Sequence, residues 1–376
     1  MTSDDFLIPT ASHARITDVL PACLACLDPD ASGANSAARD RFGLEPADQV
    51  IVILADGLGL ELLEQRYALA PVLRAARSTT TEALTVVPST TAAAITSFAT
   101  GALPAQTGMV GYSVFTPTGV MNLLAFGPGY IPEMWQPVPT LFERAAQAGI
   151  TSAVVSPPTF ARSGLTRAAL RGTTHVGAAS WEDRIWAALN QVKRGTALTY
   201  LYWSDIDHVG HHAGWHSDQW AEALEDFDQG LRLLVKNLPA GHDARVVLTA
   251  DHGMVDVKHE DLIDVADHPE LSEGVRAIAG ETRGVHIHAE PGQAASVLER
   301  WQEVLGERAW VVPTYLLGGL MGEGPLLTRV GDGLALMRGG FGVVDSRTQS
   351  PGSMSLVGVH GSLSSAEMRI PVVRLA

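Results

Sequence analysis

The 376-residue sequence contains few cysteines and few basic side chains. Its two cysteines, Cys23 and Cys26, cannot form a disulfide framework, and their leucine neighbours indicate the buried face of a helix rather than a redox pair. Acidic side chains number 41 against 26 basic ones, which gives a formal net charge of −15. Since nucleic-acid polymers and anionic membranes favour basic surfaces, this balance argues against both as main partners.

The sequence also lacks the segments that direct a chain to a membrane or across it. No uninterrupted apolar stretch approaches the roughly 18 residues that a membrane span needs. The start, Met-Thr-Ser-Asp-Asp-Phe, has no basic segment of the kind that opens a signal peptide. The low cysteine content is typical of a reducing compartment. We therefore expect a soluble protein that resides in the cytoplasm.

Apolar runs alternate with segments of helical periodicity along the first two thirds of the chain. Residues 50–55 form a continuous apolar run, which is typical of a strand covered on both faces. Further strands are predicted at 151–155, 198–203 and 245–250. Helices are predicted at 15–27, 60–76, 140–149, 180–193 and 218–236. This alternation predicts an α/β fold with a mostly parallel central sheet and helices on both faces.

The pattern changes after residue 255. Strands are predicted at 284–289 and 309–314, with an amphipathic helix at about 292–305 between them, and residues 317–353 are rich in glycine. We therefore expect a catalytic α/β core formed by 1–255 and 354–376. A smaller α+β lobe would be inserted at 256–353, before a last strand at 354–360.

Three of the predicted strands are followed by side chains that can bind a metal, and a fourth candidate lies near the carboxyl terminus. These candidates are Asp56, Asp207 with His211, Asp251 with His252, and His360. Open α/β sheets place their ligands at the carboxyl ends of the strands, so we expect these side chains to lie close together. Their oxygen and nitrogen donors suit two zinc-like ions. Two such ions, about 3.5–4 Å apart, clamp the entering and leaving oxygens of a displacement at phosphorus.

The sequence leaves alternatives open at these positions. Asp56 and Asp251 each fit an ordinary turn or helix start as well. Other side chains in the same stretch compete for the same roles, namely Asp205 with Asp207, and His208, His212 and His216 with His211. The convergence of acidic and histidine side chains at four strand ends is what favours a metal site.

A hydroxyl-rich stretch precedes a helix that is predicted over 91–100. This helix would end at Gly101, the residue type favoured just past a helix carboxyl end. Ser89, Thr90 and Thr91 then lie at its amino-terminal end, where free N–H groups and the helix dipole favour a phosphoryl group. A hydroxyl at that position, held by a metal, ionises more readily and can attack phosphorus. The chemistry alone does not decide which of the three hydroxyls is the nucleophile.

Together these motifs resemble the alkaline phosphatase superfamily, and most closely its nucleotide pyrophosphatase/phosphodiesterase branch and the phosphonoacetate hydrolase relatives. The resemblance covers blocks at 50–59, 85–112, 198–214, 246–254 and 357–361, in the order of the family. The most specific blocks are Asp-x-x-x-His-x-x-Gly at 207–214 and Asp-His-Gly at 251–253. The resemblance implies an enzyme that cleaves phosphate esters with the help of two Zn²⁺ ions. Other divalent ions such as Mn²⁺ suit the same ligands.

The resemblance also implies a role for each candidate. One zinc would be held by Asp56, Asp251 and His252 together with the oxygen of the nucleophile, and the other by Asp207, His211 and His360. The family carries its nucleophile ten residues before the glycine of a Thr-Gly pair, so counting back from Gly101 identifies Thr91. Catalysis would then pass through a covalent phospho-threonine intermediate.

The sequence departs from the family pattern at two places. Ala92-Ala93-Ala94 follows the nucleophile where phosphodiesterases carry a Phe/Asn-Pro-Asn type stretch. Tyr112 stands at or near the position where phosphodiesterases of the family carry an asparagine that helps bind a phosphate oxygen. It is therefore a candidate substrate-binding residue or part of the pocket wall. We expect a small phosphorylated substrate, in first place a nucleotide-like phosphodiester or pyrophosphate, with Tyr130 or Trp135 available to stack a base. Phosphate monoesters and phosphonates are the alternatives.

Two hypotheses from other functional classes explain these residues less well. Asp56-Gly-Leu-Gly opens like a dinucleotide-binding turn, but no G-x-G-x-x-G follows and the metal-capable cluster would have no role. A metal-binding regulatory protein without turnover would need neither the hydroxyl at 91 nor a complete ligand set. The sequence therefore favours an enzyme, and it defines no oligomeric state.

Overall fold

The computed structural model describes residues 6–376. In chain order its strands are β1 (Gln49–Ala55), β2 (Thr80–Leu84), β3 (Ser113–Thr116), β4 (Gly119–Asn122), β5 (Ser152–Ser156), β6 (Thr174–Gly177), β7 (Leu198–Trp203), β8 (Ala244–Thr249), β9 (Val255–Asp256), β10 (Leu262–Asp264), β11 (Val275–Glu281), β12 (Gly284–Ala289), β13 (Ala309–Pro313), β14 (Gly333–Met337), β15 (Gly342–Val344), β16 (Gly358–Val359) and β17 (Arg369–Arg374).

The α-helices are α1 (Ile16–Leu27), α2 (Ser36–Arg41), α3 (Leu60–Arg66), α4 (Pro71–Ala75), α5 (Thr91–Thr100), α6 (Pro104–Thr107), α7 (Pro132–Trp135), α8 (Leu141–Gln147), α9 (Gly164–Ala169), α10 (Trp181–Lys193), α11 (Asp205–Ala213), α12 (Asp218–Lys236), α13 (Ala294–Leu305), α14 (Gly318–Met321), α15 (Pro351–Met354) and α16 (Ser365–Met368). Several short 3₁₀ turns join them. Within residues 6–376, none of these helices has the length and apolar character needed to cross a membrane.

A seven-stranded sheet in the order β2-β17-β8-β1-β7-β5-β6 forms the centre of the molecule. The pairings from β8 through β1, β7 and β5 to β6 are parallel, whereas β17 is antiparallel to both of its neighbours. Every residue of β1 and β7 is buried. Because successive side chains of a strand point to opposite faces, both faces of the sheet are covered. The predicted α/β fold with a mostly parallel sheet is confirmed.

A second sheet lies within the segment that was predicted to form a smaller lobe. Its four strands run antiparallel in the order β11-β12-β14-β13. Val297, Trp301 and Leu305 of α13 pack with Ile287 and Ala335 of this sheet in a hydrophobic cluster separate from the main core. The segment thus has its own sheet and core, while the division into a core of 1–255 and 354–376 and a lobe of 256–353 stays a prediction.

Most of the predicted helices and strands are confirmed to within two residues, including α1, α5, α10, α12, β1, β7 and β8. The helix α5 ends at Gly101, whose φ of 70° is the left-handed conformation expected there. Cys23 and Cys26 are both free and buried in α1, as their apolar neighbours indicated.

Two predicted elements are wrong. The helix predicted at 60–76 is split, because Pro71 has no N–H to continue the ladder and instead starts α4. The strand predicted at 354–360 is reduced to the two residues of β16, which pair with β9. The last strand of the main sheet is instead β17. Its sequence does not indicate an interior strand, because it contains Pro371 and begins and ends with arginine, and proline is rarely found in a paired interior strand.

Candidate active site

The carboxyl ends of β1, β7 and β8 bring the predicted ligands together. The strand β1 is hydrogen-bonded to β7 on one side and to β8 on the other, so the three strand ends are neighbours. Two groups of side chains result, and within each group the ligand atoms all lie within 4.8 Å of one another. One group is Asp56, Asp251 and His252, and the other is Asp207, His211 and His360.

The position of each side chain on the helix α11 shows which residues of the stretch 204–216 can act as metal ligands. Asp207 and His211 lie one turn apart on it, and Nε2 of His211 is 3.2 Å from Oδ2 of Asp207. The competing side chains belong to neither metal-capable group. The rings of His208 and His212 lie against each other, His216 binds Asp256 through Nδ1 at 2.7 Å, and Asp205 belongs to neither group.

All three histidines of the two groups are oriented by a backbone carbonyl. The Nδ1 atoms contact the carbonyl oxygens of Gly358 (His211, 2.7 Å), Gly253 (His252, 2.9 Å) and Ser89 (His360, 2.8 Å). A carbonyl oxygen only accepts, so each Nδ1 carries the proton and donates. Each Nε2 is then free to bind a cation, which is the usual orientation of a metal-binding histidine.

The carboxylates of the two groups keep unused lone pairs in a buried place. Among the described residues, Oδ1 of Asp56, Oδ1 of Asp207 and Oδ2 of Asp251 have no hydrogen-bond partner. Their other oxygens are engaged: the Tyr202 hydroxyl donates to Oδ2 of Asp56, and two backbone N–H groups donate to Oδ1 of Asp251. A buried acceptor without a partner is costly. Divalent cations would satisfy these three oxygens, so the residues present fit the metal ions of the prediction.

The electrostatics of the site also call for positive charge. Burial, followed by the charges of Asp251 and Asp207, raises the pKa of Asp56 well above its ordinary range. Burial likewise raises the pKa of Asp251. His211 is partly buried, which lowers its pKa, but the adjacent Asp207 outweighs this effect and raises the pKa of His211 to about 9. Bound cations would stabilise the ionised carboxylates and displace the proton from His211.

Thr91 is the first residue of α5, and its Oγ1 lies 3.2 Å from Nε2 of His252. Since Nδ1 of His252 carries the proton, the Thr91 hydroxyl donates to Nε2. Ser89 is occupied elsewhere, because its hydroxyl donates to the carbonyl of Ser362 (2.8 Å) and accepts from the N–H of Gly361 (3.1 Å). Thr90 is buried and does not line the cavity beside the site. Of the three hydroxyls that the sequence left open, Thr91 is the one that contacts a member of the metal-capable groups.

A cavity of about 850 Å³ opens beside Thr91 and the two groups. Tyr112 lines it and is 43% exposed. Tyr130 and Trp135 do not line it, so the prediction that they stack a base there is wrong. They pack edge to face, and Trp135 also lies under the guanidinium of Arg329.

Sequence reasoning missed two residues of the site. Tyr202 binds Asp56 from the end of β7, and its place at a strand end beside the acidic turns is a signal that could have identified it. Glu281, at the end of β11, lines the cavity, and its Oε2 lies 3.5 Å from Nδ1 of His360. Burial raises the pKa of Glu281 to about 8. Nothing in the local sequence distinguishes Glu281 from other acidic residues.

Comparisons with known proteins agree with this geometry. The sequence model of the family described as type I phosphodiesterase / nucleotide pyrophosphatase matches residues 50–363. Human ectonucleotide pyrophosphatase/phosphodiesterase family member 5 is 32% identical over 91 residues, which span 23% of this chain and only 19% of that protein.

Solved structures show the same fold at low identity. Murine ectonucleotide pyrophosphatase / phosphodiesterase 5 has a TM-score of 0.68 at 17% identity, with 86% of this chain and 87% of that chain covered, and an inactive variant of it in complex with AMP matches equally well. Phosphonoacetate hydrolase from Sinorhizobium meliloti 1021 in complex with phosphonoformate has a TM-score of 0.67 at 20% identity, over 87% and 89% of the two chains. With most of its length matched by the family's sequence model, the chain belongs to the type I phosphodiesterase / nucleotide pyrophosphatase family of hydrolases, within the alkaline phosphatase superfamily.

Proposed function

We propose that this protein is a two-zinc phosphodiesterase that cleaves nucleotide-type phosphodiesters or pyrophosphates through a phospho-threonine at Thr91. The observation that carries the proposal is the 3.2 Å contact between the Thr91 hydroxyl and Nε2 of His252 at the start of α5. It puts the hydroxyl beside one metal-capable group and at the amino-terminal end of a helix, where anions bind.

Each group of side chains would hold one ion. Asp56, Asp251 and His252 would bind the first together with the Thr91 oxygen, and Asp207, His211 and His360 the second. When bound, the two cations supply positive charge that favours the ionised hydroxyl and stabilises the leaving oxygen. Manganese or another divalent ion suits the same oxygen and nitrogen donors.

The residues of this chain supply the nucleophile and its orientation. The ionised Thr91 oxygen attacks phosphorus in line, a P–O bond forms, and the bond to the leaving oxygen breaks. The first N–H that bonds within α5 is that of Ala94, to the carbonyl of Thr90, so the N–H groups before it are free to bind phosphoryl oxygens. Water then attacks phosphorus, which frees Thr91 and releases a phosphate monoester.

Several observations bear on the substrate. Family membership and the AMP complex of the murine relative support a nucleotide-type substrate. Phosphate monoesters are the second candidate, because Tyr112 stands where the family pattern has a phosphate-binding asparagine. Phosphonates follow, since a phosphonoacetate hydrolase shares the fold. The low cysteine content supports residence in the cytoplasm, and the acidic surface supports small substrates rather than nucleic-acid polymers.

The test compares three chromogenic substrates on zinc-loaded wild type and on Thr91→Ala, with the metal content of both proteins determined. The substrates are p-nitrophenyl phosphate, bis-p-nitrophenyl phosphate and thymidine 5′-p-nitrophenyl phosphate. We expect the two diesters to be preferred, and activity to be lost in the variant while about two metal ions per chain remain bound. Preference for the monoester would reassign the protein to the phosphatases of the superfamily. Hydrolysis of none of the three would contradict the proposal.

A further inference from the structure

The composition of the cavity beside Thr91 narrows the substrate further. Of the two substrate types proposed above, we infer that it favours phosphodiesters, with a second arm that is largely apolar and carries no negative charge, over pyrophosphates and other substrates with a second anionic group. This inference rests on the proposed phosphodiesterase function and concerns the arm of the substrate, not the chemistry at phosphorus.

Apolar side chains form much of the wall. Ile95, Leu165 and Ile278 are among them, and Val120 and Phe160 are partly exposed as well as lining the cavity. They come from α5, β4, β11 and the segment around α9, so several separate elements contribute to the apolar wall. An apolar wall of this kind stabilises a bound ligand by burying its apolar parts away from water.

The charged side chains of the cavity outside the two metal-capable groups are acidic. They are Asp205, at the start of α11, and Glu281, at the end of β11. Among the described residues that line the cavity there is no lysine or arginine, and His208 is the one further side chain there able to gain a positive charge. In either protonation state, Asp205 and Glu281 supply no cation for an anionic arm.

Five basic side chains stand next to a lining residue in the sequence without lining the cavity themselves, namely Arg162, Arg167, Arg171, Arg283 and Arg347. Arg184 is buried and donates to the carbonyls of Tyr202 (3.0 Å) and Ala179 (2.9 Å). Arg347, next to the lining residue Thr348, is paired with Asp345 at 2.7 Å. Arg167, Arg171 and Arg283 are also paired, with Glu133, Glu143 and Glu367 respectively, and Arg162 is exposed. Since none of these side chains lines the cavity, none is placed to neutralise a group bound inside it.

The consequence for a second anionic group follows from solvation. A β-phosphate or a carboxylate on the arm would leave water and find no basic partner in the cavity, and burying an unpaired charge is strongly unfavourable. The reacting phosphoryl group does not carry this cost, because metal ions in the two metal-capable groups and the free N–H groups at the start of α5 would balance its charge. A binding site can reject the wrong substrate in this way, because a substrate whose charge would be buried without a partner binds less tightly.

The test uses two esters that differ only in the charge of the arm, 3-carbamoylpropyl p-nitrophenyl phosphate and 3-carboxypropyl p-nitrophenyl phosphate. They share the leaving group, and the amide and carboxylate have nearly the same shape. For zinc-loaded wild type we expect kcat/KM to be higher on the amide ester by about tenfold or more. In Asp205→Lys, which puts a cation at the exposed side of the cavity, the ratio of kcat/KM on the carboxylate ester to that on the amide ester should rise.

A matched control is Glu299→Lys, which makes the same change of charge on the exposed side of α13, outside the cavity. It should leave the ratio of the two kcat/KM values at its wild-type value. Equal or faster cleavage of the carboxylate ester by wild type would overturn this inference and leave the phosphodiesterase function standing. Cleavage of neither ester by protein with two bound metal ions would instead contradict the proposed function, and this inference with it. If Asp205→Lys loses metal, the wild-type ratio still decides.

Discussion

His360 and Ser89, 271 residues apart in the chain, are joined by a hydrogen bond of 2.8 Å from Nδ1–H of His360 to the carbonyl oxygen of Ser89. Ser89 lies two residues before Thr91, and its hydroxyl accepts a second bond from the N–H of Gly361. The last metal-capable side chain of the sequence is therefore held by the turn that leads into the nucleophile. The position of one half of the site depends on the other.

Replacement of the nucleophile is the most direct prediction. Thr91→Ala should lower kcat on bis-p-nitrophenyl phosphate by about 10³-fold or more, because no neighbouring hydroxyl contacts His252 in its place. Thr91→Ser keeps a hydroxyl and should retain part of the activity. Thr90→Ala is the matched control and should keep most of it. The assignment is wrong if the Thr90 variant is inactive and the Thr91 variant is not.

Tyr202→Phe should weaken metal binding by about tenfold, the lower end of what removal of a group behind a ligand costs. The phenol hydroxyl donates to Oδ2 of Asp56, and its loss leaves that carboxylate less firmly oriented. Tyr200→Phe is the matched control on the same strand, because the Tyr200 hydroxyl has no hydrogen-bond partner among the described residues. Zinc titration of the chelated proteins measures both. Equal affinities in the two variants would disprove the role of Tyr202.

Removal of the metal ions should lower the thermal stability of the protein. The three unpartnered carboxylate oxygens are buried in the two metal-capable groups, so zinc should bind the folded chain and stabilise it. At a free zinc concentration of 100 Kd the gain is about 2.7 kcal/mol for one site. Thermal melts with chelator and with added zinc measure the shift. His211→Ala should reduce it and His208→Ala should not, and an equal shift in both would argue against the assigned ligands.

Acid should destabilise the fold through His286. Burial lowers the pKa of this imidazole to about 3, against about 6.5 in an unfolded chain. The unfolded state therefore binds the proton more readily, so this stability is complete above about pH 6.5 and is lost as the pH falls toward the folded-state value. The slope is at most about 1.4 kcal/mol per pH unit. Chemical denaturation of chelated protein between pH 7 and 5 should show a shallower slope for His286→Gln, and an unchanged slope would refute this account.

The ion pair between Arg283 and Glu367 should be important for stability. Both side chains are fully buried, with contacts of 2.8 and 3.0 Å, and the pair ties the turn between β11 and β12 to α16. Glu367→Gln leaves a buried guanidinium without its counter-charge and should cost about 3–5 kcal/mol.

The exposed pair between Arg167 and Glu133, also at 2.8 Å, provides the control for this prediction. Because water screens it, Glu133→Gln should change the free energy of unfolding by less than about 1 kcal/mol. Urea denaturation of the two chelated variants gives both values. A cost for Glu367→Gln as small as that for Glu133→Gln would show that the buried pair contributes little.

Local pattern was sufficient for much of the fold. Continuous apolar runs identified β1, β7 and β8, since strands covered on both faces have no polar side to show. Local pattern failed where a tertiary contact overrides local preference. In β17, Pro371 pairs with Glu82 inside the central sheet, although proline disfavours an interior strand. The edge strands β2 and β6 were missed for a related reason, because partly exposed strands carry a weak apolar signal.

The site divides in the same way. The sequence by itself determined which residue types end the central strands and that a hydroxyl begins α5, because these follow from strand and helix periodicity. Periodicity did not choose between His208 and His211, and only the tertiary structure brings His211 beside His360 and includes Tyr202 and Glu281 in the site. These contacts join elements far apart in the chain. Their geometry is set by the packing of α11, β11 and the carboxyl-terminal segment, which no local pattern encodes.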